Sequence, residues 1–124
     1  MKKIKKEWGK EKLIANTIRY SAKLLYFDKG KRCAMHFHKE KDATFYLLEG
    51  VVLAEVWGEK KEQRKLKKSL RIKPLQPHRF NALEDSVIIE TSTTNNDRDS
   101  YQIQGMLGGD IPEKLFEDYL ENYS

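Results

Sequence analysis

The chain has 124 residues, 39% hydrophobic and 35% charged, with a net charge of +5 and a mean hydropathy of −0.77. That length makes one domain, 1–124, able to bury a real core, and no apolar run approaches the ~20 residues that a membrane span needs. Basic residues crowd 1–32 (eleven against three acids) and 59–73 (eight against two), but aromatics do not interleave with them as stacking platforms would require. No nucleic-acid and no membrane partner is therefore expected.

Met1-Lys2-Lys3-Ile4-Lys5-Lys6 is basic but no apolar segment follows it, so it does not read as a signal peptide. The one cysteine, Cys33, excludes an internal disulfide and fits a reducing cytoplasm, which is the expected location. Tyr20–Phe27 alternates and ends in the turn Asp28-Lys29-Gly30, which predicts a strand. Arg32–Phe37 and Thr44–Leu48 follow as strands, joined by the charged turn Lys39-Glu40-Lys41-Asp42. Odd spacing from His36 turns Cys33 to the opposite face, as a buried thiol. Glu49-Gly50 turns the chain into Val51–Trp57, and Gly58–Lys61 is a hairpin tip. The basic segment 59–73, with Leu66, Leu70 and Ile72, reads as an edge strand or hairpin guarded by lysines. Arg79–Leu83, Ser86–Ser92 and Ser100–Gln104 complete the strands, and 93–97 is a loop by composition. Asp110-Ile111-Pro112-Glu113 reads as an N-cap with Pro in the first turn. Leu115, Phe116, Tyr119, Leu120 and Tyr123 then form one face of a helix over about 111–123, packed on the barrel or on a second subunit. Many short strands separated by turns predict an all-β sandwich or barrel over about 13–104 with that short C-terminal helix.

All three histidines fall in two strand segments. His36 and His38 alternate, so they share a face, and His78 follows about forty residues later. If the second segment folds beside the first, three imidazoles converge. Imidazole suits zinc, copper, iron and nickel, and three such ligands leave coordination positions open. Ligation needs neutral rings, so metal binding is expected to weaken as pH falls through about 6 to 5.

The spacing Gly30, five residues, His36-x-His38, four residues, Ala43, six residues, Gly50 resembles the first motif of the cupins, and Pro74 to Asn81 approximates the second. Trp8-Gly9-Lys10-Glu11, Tyr20 to Leu24, and Pro77-His78-Arg79-Phe80 with Ile88-Ile89-Glu90 look like the cupin domain of mannose-6-phosphate isomerases of the fused guanylyltransferase type. The resemblance spans roughly Lys5 to Gln104. It implies a cupin-type double-stranded β-helix, or jelly-roll, barrel and His36, His38 and His78 as ligands of a divalent metal ion (Zn, Fe, Mn or Ni). The pattern's fourth ligand is a Glu where this chain has Ala43; Gln76, Glu40 and Asp42 are candidate substitutes. Arg79, Lys23 and Arg32 are candidates for binding an anionic substrate. Gln102 stands where the isomerase relatives carry an Arg, and Gln offers no bidentate clamp for phosphate. The implied function is a sugar or sugar-phosphate isomerase or epimerase acting on a small molecule, with a homodimer as the assembly. The alternatives are a three-His Fe(II) oxygenase and a non-catalytic carbohydrate-binding or regulatory module.

Overall fold

Alternation of burial shapes the strands of the computed structural model, which describes residues 2–124. Strand β3 (Ser21–Phe27) follows β1 (Lys2–Lys6) and β2 (Gly9–Asn16); it buries every second residue, Ser21, Lys23, Leu25 and Phe27. Two short strands come next, β4 (Lys31–Arg32) and β5 (His36–Phe37), and then β6 (Ala43–Glu49), β7 (Val52–Trp57), β8 (Lys61–Lys65) and β9 (Ser69–Ile72). The remaining elements are β10 (His78–Ala82), β11 (Ser86–Ser92), β12 (Tyr101–Gln102), β13 (Gly109–Asp110) and helix α1 (Glu113–Tyr123).

Two antiparallel sheets form the body. One runs β1-β2-β3-β11-β6-β9; in the other β10 is central, with β7 and then β8 on one side. Its other side is lined by β4 and β5 end to end, which in turn pair with β13 and β12. The jelly-roll architecture expected of the sequence is thus present, but as two facing layers: among the described residues no ladder joins the sheets into a closed barrel.

The layers enclose a core that includes Trp8, Phe27, Phe45, Phe80 and Ile88. Trp8 stacks on Phe27 with ring centroids 4.1 Å apart. All five residues of β10 are buried. Its inner face (His78, Phe80) looks between the sheets, while its outer neighbours Leu53 and Leu83 lie under α1. The expected helix face, Leu115, Phe116, Tyr119, Leu120 and Tyr123, packs there with Val51 and Ile111. Each such side chain, fully buried, contributes about 1.5–3 kcal/mol.

The differences from the sequence reading lie mostly at ends. The N-terminal lysines form strands β1 and β2, because their register with Leu24–Phe27 through β2 gives them ladder partners despite low apolar content. The helix begins at Glu113, with Pro112 as N-cap; Asp110 instead belongs to β13 and pairs with Lys31. Gly50 turns at φ 96°, and a Cβ there would overlap the Ser86 side chain and the Asp85 carbonyl, so this turn admits only glycine.

Candidate metal centre

Register brings the histidines together. His78 on β10 lies directly opposite His36 on β5, and His38 follows two residues on with its ring on the same side. Ring centroids are 4.4 Å apart for His36 and His78, 5.1 Å for His36 and His38, and 5.8 Å for His38 and His78. Ring nitrogens of all three lie within 4.8 Å of one another.

Each ring is fixed from behind. Nδ1 of His36 meets the Ala34 carbonyl at 2.8 Å, Nδ1 of His78 meets the Gln76 carbonyl at 3.0 Å, and Nδ1 of His38 meets the Asp99 carbonyl. A carbonyl only accepts, so each Nδ1 carries the proton and donates it, which leaves Nε2 with a free lone pair. This carbonyl-backed imidazole is the arrangement of metal-ligating histidines. Burial keeps the rings neutral. It pushes His36 down to about 4 and His78 well below the usual imidazole value, the latter helped by the neighbouring His36; it also lowers His38. Three neutral imidazoles with converging lone pairs fit a divalent metal ion. Their lowered proton affinity also moves the acid limit of binding below the window of about 6 to 5 that ordinary imidazoles would set.

The rings border a cavity of about 650 Å³ between the sheets, which Trp8, Phe27, Phe45 and Phe80 line on the apolar side. Its polar side carries Glu11, Lys23, Lys41 and Glu90, all buried. Lys41 Nζ pairs with Glu90 Oε2 at 2.7 Å and donates to Asn95 Oδ1 at 3.1 Å. Lys23, the cross-strand partner of Glu90, pairs with Glu11 at 3.6 Å, and Glu11 reaches Lys6 at 3.9 Å. Burial would raise the Glu90 carboxyl, but Lys41 and Lys23 outweigh it and hold the group below its usual range. Asp99 anchors the turn that delivers Lys41: its carboxylate accepts from the backbone N–H groups of Lys39, Glu40 and Lys41.

Ala43 opens β6 on the inward face, 3% exposed, two residues before Phe45, whose ring lies 5.9 Å from that of His78. The candidate substitutes point elsewhere. Asp42 is held by Arg71 through bonds of 2.6 and 3.1 Å, Glu40 is exposed, and Gln76 Oε1 accepts from the Lys73 backbone. Of the anion-binding candidates, only Lys23 lines the cavity. Arg79 alternates away from His78 and pairs with Glu55 at 2.5 Å on the outer face of the sheet, and the charges of Arg79 and Glu55 both act on Arg32. Cys33 departs from the strand parity expected of it: the chain between β4 and β5 is irregular, so the thiol lines the same cavity, accepts from Phe80 N–H at 3.3 Å and is pushed up to about 11 by burial. Lys41 and Asp99 carry no sequence signal of their own, and Glu11 appears only within the Trp8–Glu11 segment with no role attached; the pairing of distant strands and loops brings them here.

No family model and no curated protein matches the chain. Solved structures do. KdgF from Halomonas sp. is 27% identical, with a TM-score of 0.64 over 72% of this chain and 82% of KdgF. An RmlC-like cupin from Shewanella frigidimarina is 20% identical, with a TM-score of 0.62 over 72% of this chain and 78% of its own. Oxalate decarboxylase OxdC from Bacillus subtilis, a protein with Mn(II) centres, reaches a TM-score of 0.74 at 12% identity; the matched part covers 82% of this chain and 30% of OxdC.

Proposed function

From the fold that the chain shares with cupin structures, we propose that it is a metal-dependent sugar or sugar-phosphate isomerase or epimerase with His36, His38 and His78 as the metal ligands. The observation that carries this reading is the meeting, in one cavity, of three carbonyl-backed neutral imidazoles and buried carboxylates. The cavity of about 650 Å³ is of the size that holds a small molecule.

A divalent ion at the imidazoles supplies Lewis-acid stabilisation of negative charge on a substrate oxygen. The chain supplies the rest. Trp8, Phe27 and Phe45 exclude water from one side. Lys5 and Lys6 on β1 line the cavity with exposed side chains and offer positive charge to a phosphate. Glu11, held more loosely by its lysines than Glu90 is by Lys41, is placed to move a proton between neighbouring carbons. Of the candidate ions, Zn, Fe and Ni suit a three-imidazole donor set, whereas Mn favours carboxylate oxygens. Assembly as a homodimer is supported by Tyr46 and Leu48 on the outer face of β6, 48% and 50% exposed.

A second reading, a three-His Fe(II) oxygenase, is favoured by Ala43, which leaves an all-neutral ligand set. One experiment separates them. Protein loaded in turn with Mn(II), Zn(II) and Fe(II) is mixed with mannose 6-phosphate or fructose 6-phosphate in D2O and followed by NMR and an oxygen electrode. Aldose–ketose interconversion with deuterium at C1 of the ketose formed, or at C2 of the aldose formed, supports the isomerase. Oxygen uptake with Fe(II) alone moves the assignment to the oxygenase, and neither result overturns both.

A further inference from the structure

Three neutral imidazoles bring no negative charge, so a divalent ion bound by them places two uncompensated positive charges beside the buried side chains of the cavity wall, which is costly. In this chain the position of the cupin ligand carboxylate is Ala43. The nearest built-in source of negative charge on the adjoining strand is Glu90. It lies on β11 directly opposite Phe45, and two residues further along Ser92 lies opposite Ala43. Glu90 faces inward, 6% exposed, and lines the cavity that the three histidines line. The field of its carboxylate reaches His36 and His38, and that of Lys41 reaches all three rings with the opposite sign. Glu90 is not part of the cluster of converging ligand atoms, which among the described residues holds only the histidines. It therefore acts from outside the ligand set.

We propose that Glu90 serves as the charge-compensating carboxylate of the metal centre in place of the one absent at Ala43, and that Lys41, bound to it, opposes the ion and sets how tightly it is held. The proposal rests on the metal-centre reading. A pair that only held the sheet together would weaken the protein when either member was changed and would move metal affinity in one direction. A pair that tunes the ion's charge moves it in opposite directions.

The test is competition of metal-stripped protein with a chelating indicator for Zn(II) and Co(II). Glu90→Gln is expected to weaken both ions about tenfold, through loss of a nearby negative charge. Lys41→Met is expected to tighten them, and the metal-free thermal midpoint reports the structural contribution separately. Equal affinities in the three proteins, or shifts of the same sign in both variants, overturn the proposal and leave the metal centre standing. Absence of binding in the wild type overturns both. If Glu90→Gln does not fold, the wild-type protein answers: the 13C carboxyl resonance of Glu90 moves on titration with Zn(II), and an unmoved resonance overturns the proposal.

Discussion

Strand β10 separates two kinds of buried charge. On its inner face His78 joins two neutral imidazoles beside a cavity of about 650 Å³. On its outer face Arg79 and Asn81 bind Glu55 at 2.5 and 2.9 Å, with Arg32 close enough for its charge to act on Glu55, on the side of the sheet that α1 covers. His78 and Arg79 are neighbours in sequence, yet one borders open space and the other is sealed against it. Polar groups sealed under a helix can only hold structure, whereas those at a cavity wall are available to a ligand.

The sharpest way to break this contrast is Glu55→Gln. It leaves Arg79 without its anion in a buried site, and loss of one member of such a pair costs about 3–5 kcal/mol. Chemical denaturation should show that loss while metal affinity stays at the wild-type value. An equal loss of metal affinity would mean that the two faces are coupled.

Acid should destabilise the protein in two successive windows. Unfolded imidazoles titrate at 6.5 and folded His36 near 4. Between those values the unfolded chain binds more protons, so the metal-free protein should lose stability as pH falls from about 6.5 toward 4. The lowered carboxyls of Glu55 and Glu90 have the opposite charge logic but the same sign, and extend the loss below their unfolded value of 4.5. Denaturation midpoints at pH 7, 5.5 and 4.5 check this; a flat profile from 7 to 4.5 contradicts it.

Asp99→Ala should cost about 1–2 kcal/mol, on the scale of a lost side-chain cap that satisfies backbone N–H groups. It should also weaken metal binding severalfold, because loss of the carboxylate anchor loosens the backbone whose carbonyl orients His38. Ala43→Glu is expected to tighten divalent-metal binding on the order of tenfold, about 1.4 kcal/mol, from an anionic oxygen brought near the ion. No change there would mean that the Ala43 side chain does not reach the site.

Much of this arrangement is legible in the sequence where a local rule governs it. The alternation of His36 and His38, the strand Ser86–Ser92 and the apolar face from Leu115 to Tyr123 each follow from a period of 2 or 3.6, and each is present. The wall of the cavity opposite the histidines is not legible, because it is made by ladder register: Glu90 meets Lys23 through β3 and Phe45 through β6. The same holds for the lysine-rich β1, whose composition disfavours a strand and whose pairing with β2 makes it one. Neither Arg79 nor Arg32 lines the cavity: alternation, which the sequence contains, turns Arg79 from His78, but its partner Glu55 lies on β7 and only the fold names it.

The most direct test of the account is a titration of metal-stripped protein with Co(II), followed by visible absorption and elemental analysis, for the wild type and for His36→Ala, His38→Ala and His78→Ala. The account predicts one equivalent bound by the wild type with a nitrogen-ligated spectrum, and loss of that spectrum in each variant while the metal-free variant remains folded by circular dichroism. Absence of binding in the wild type, or an unchanged spectrum in His78→Ala, would contradict it.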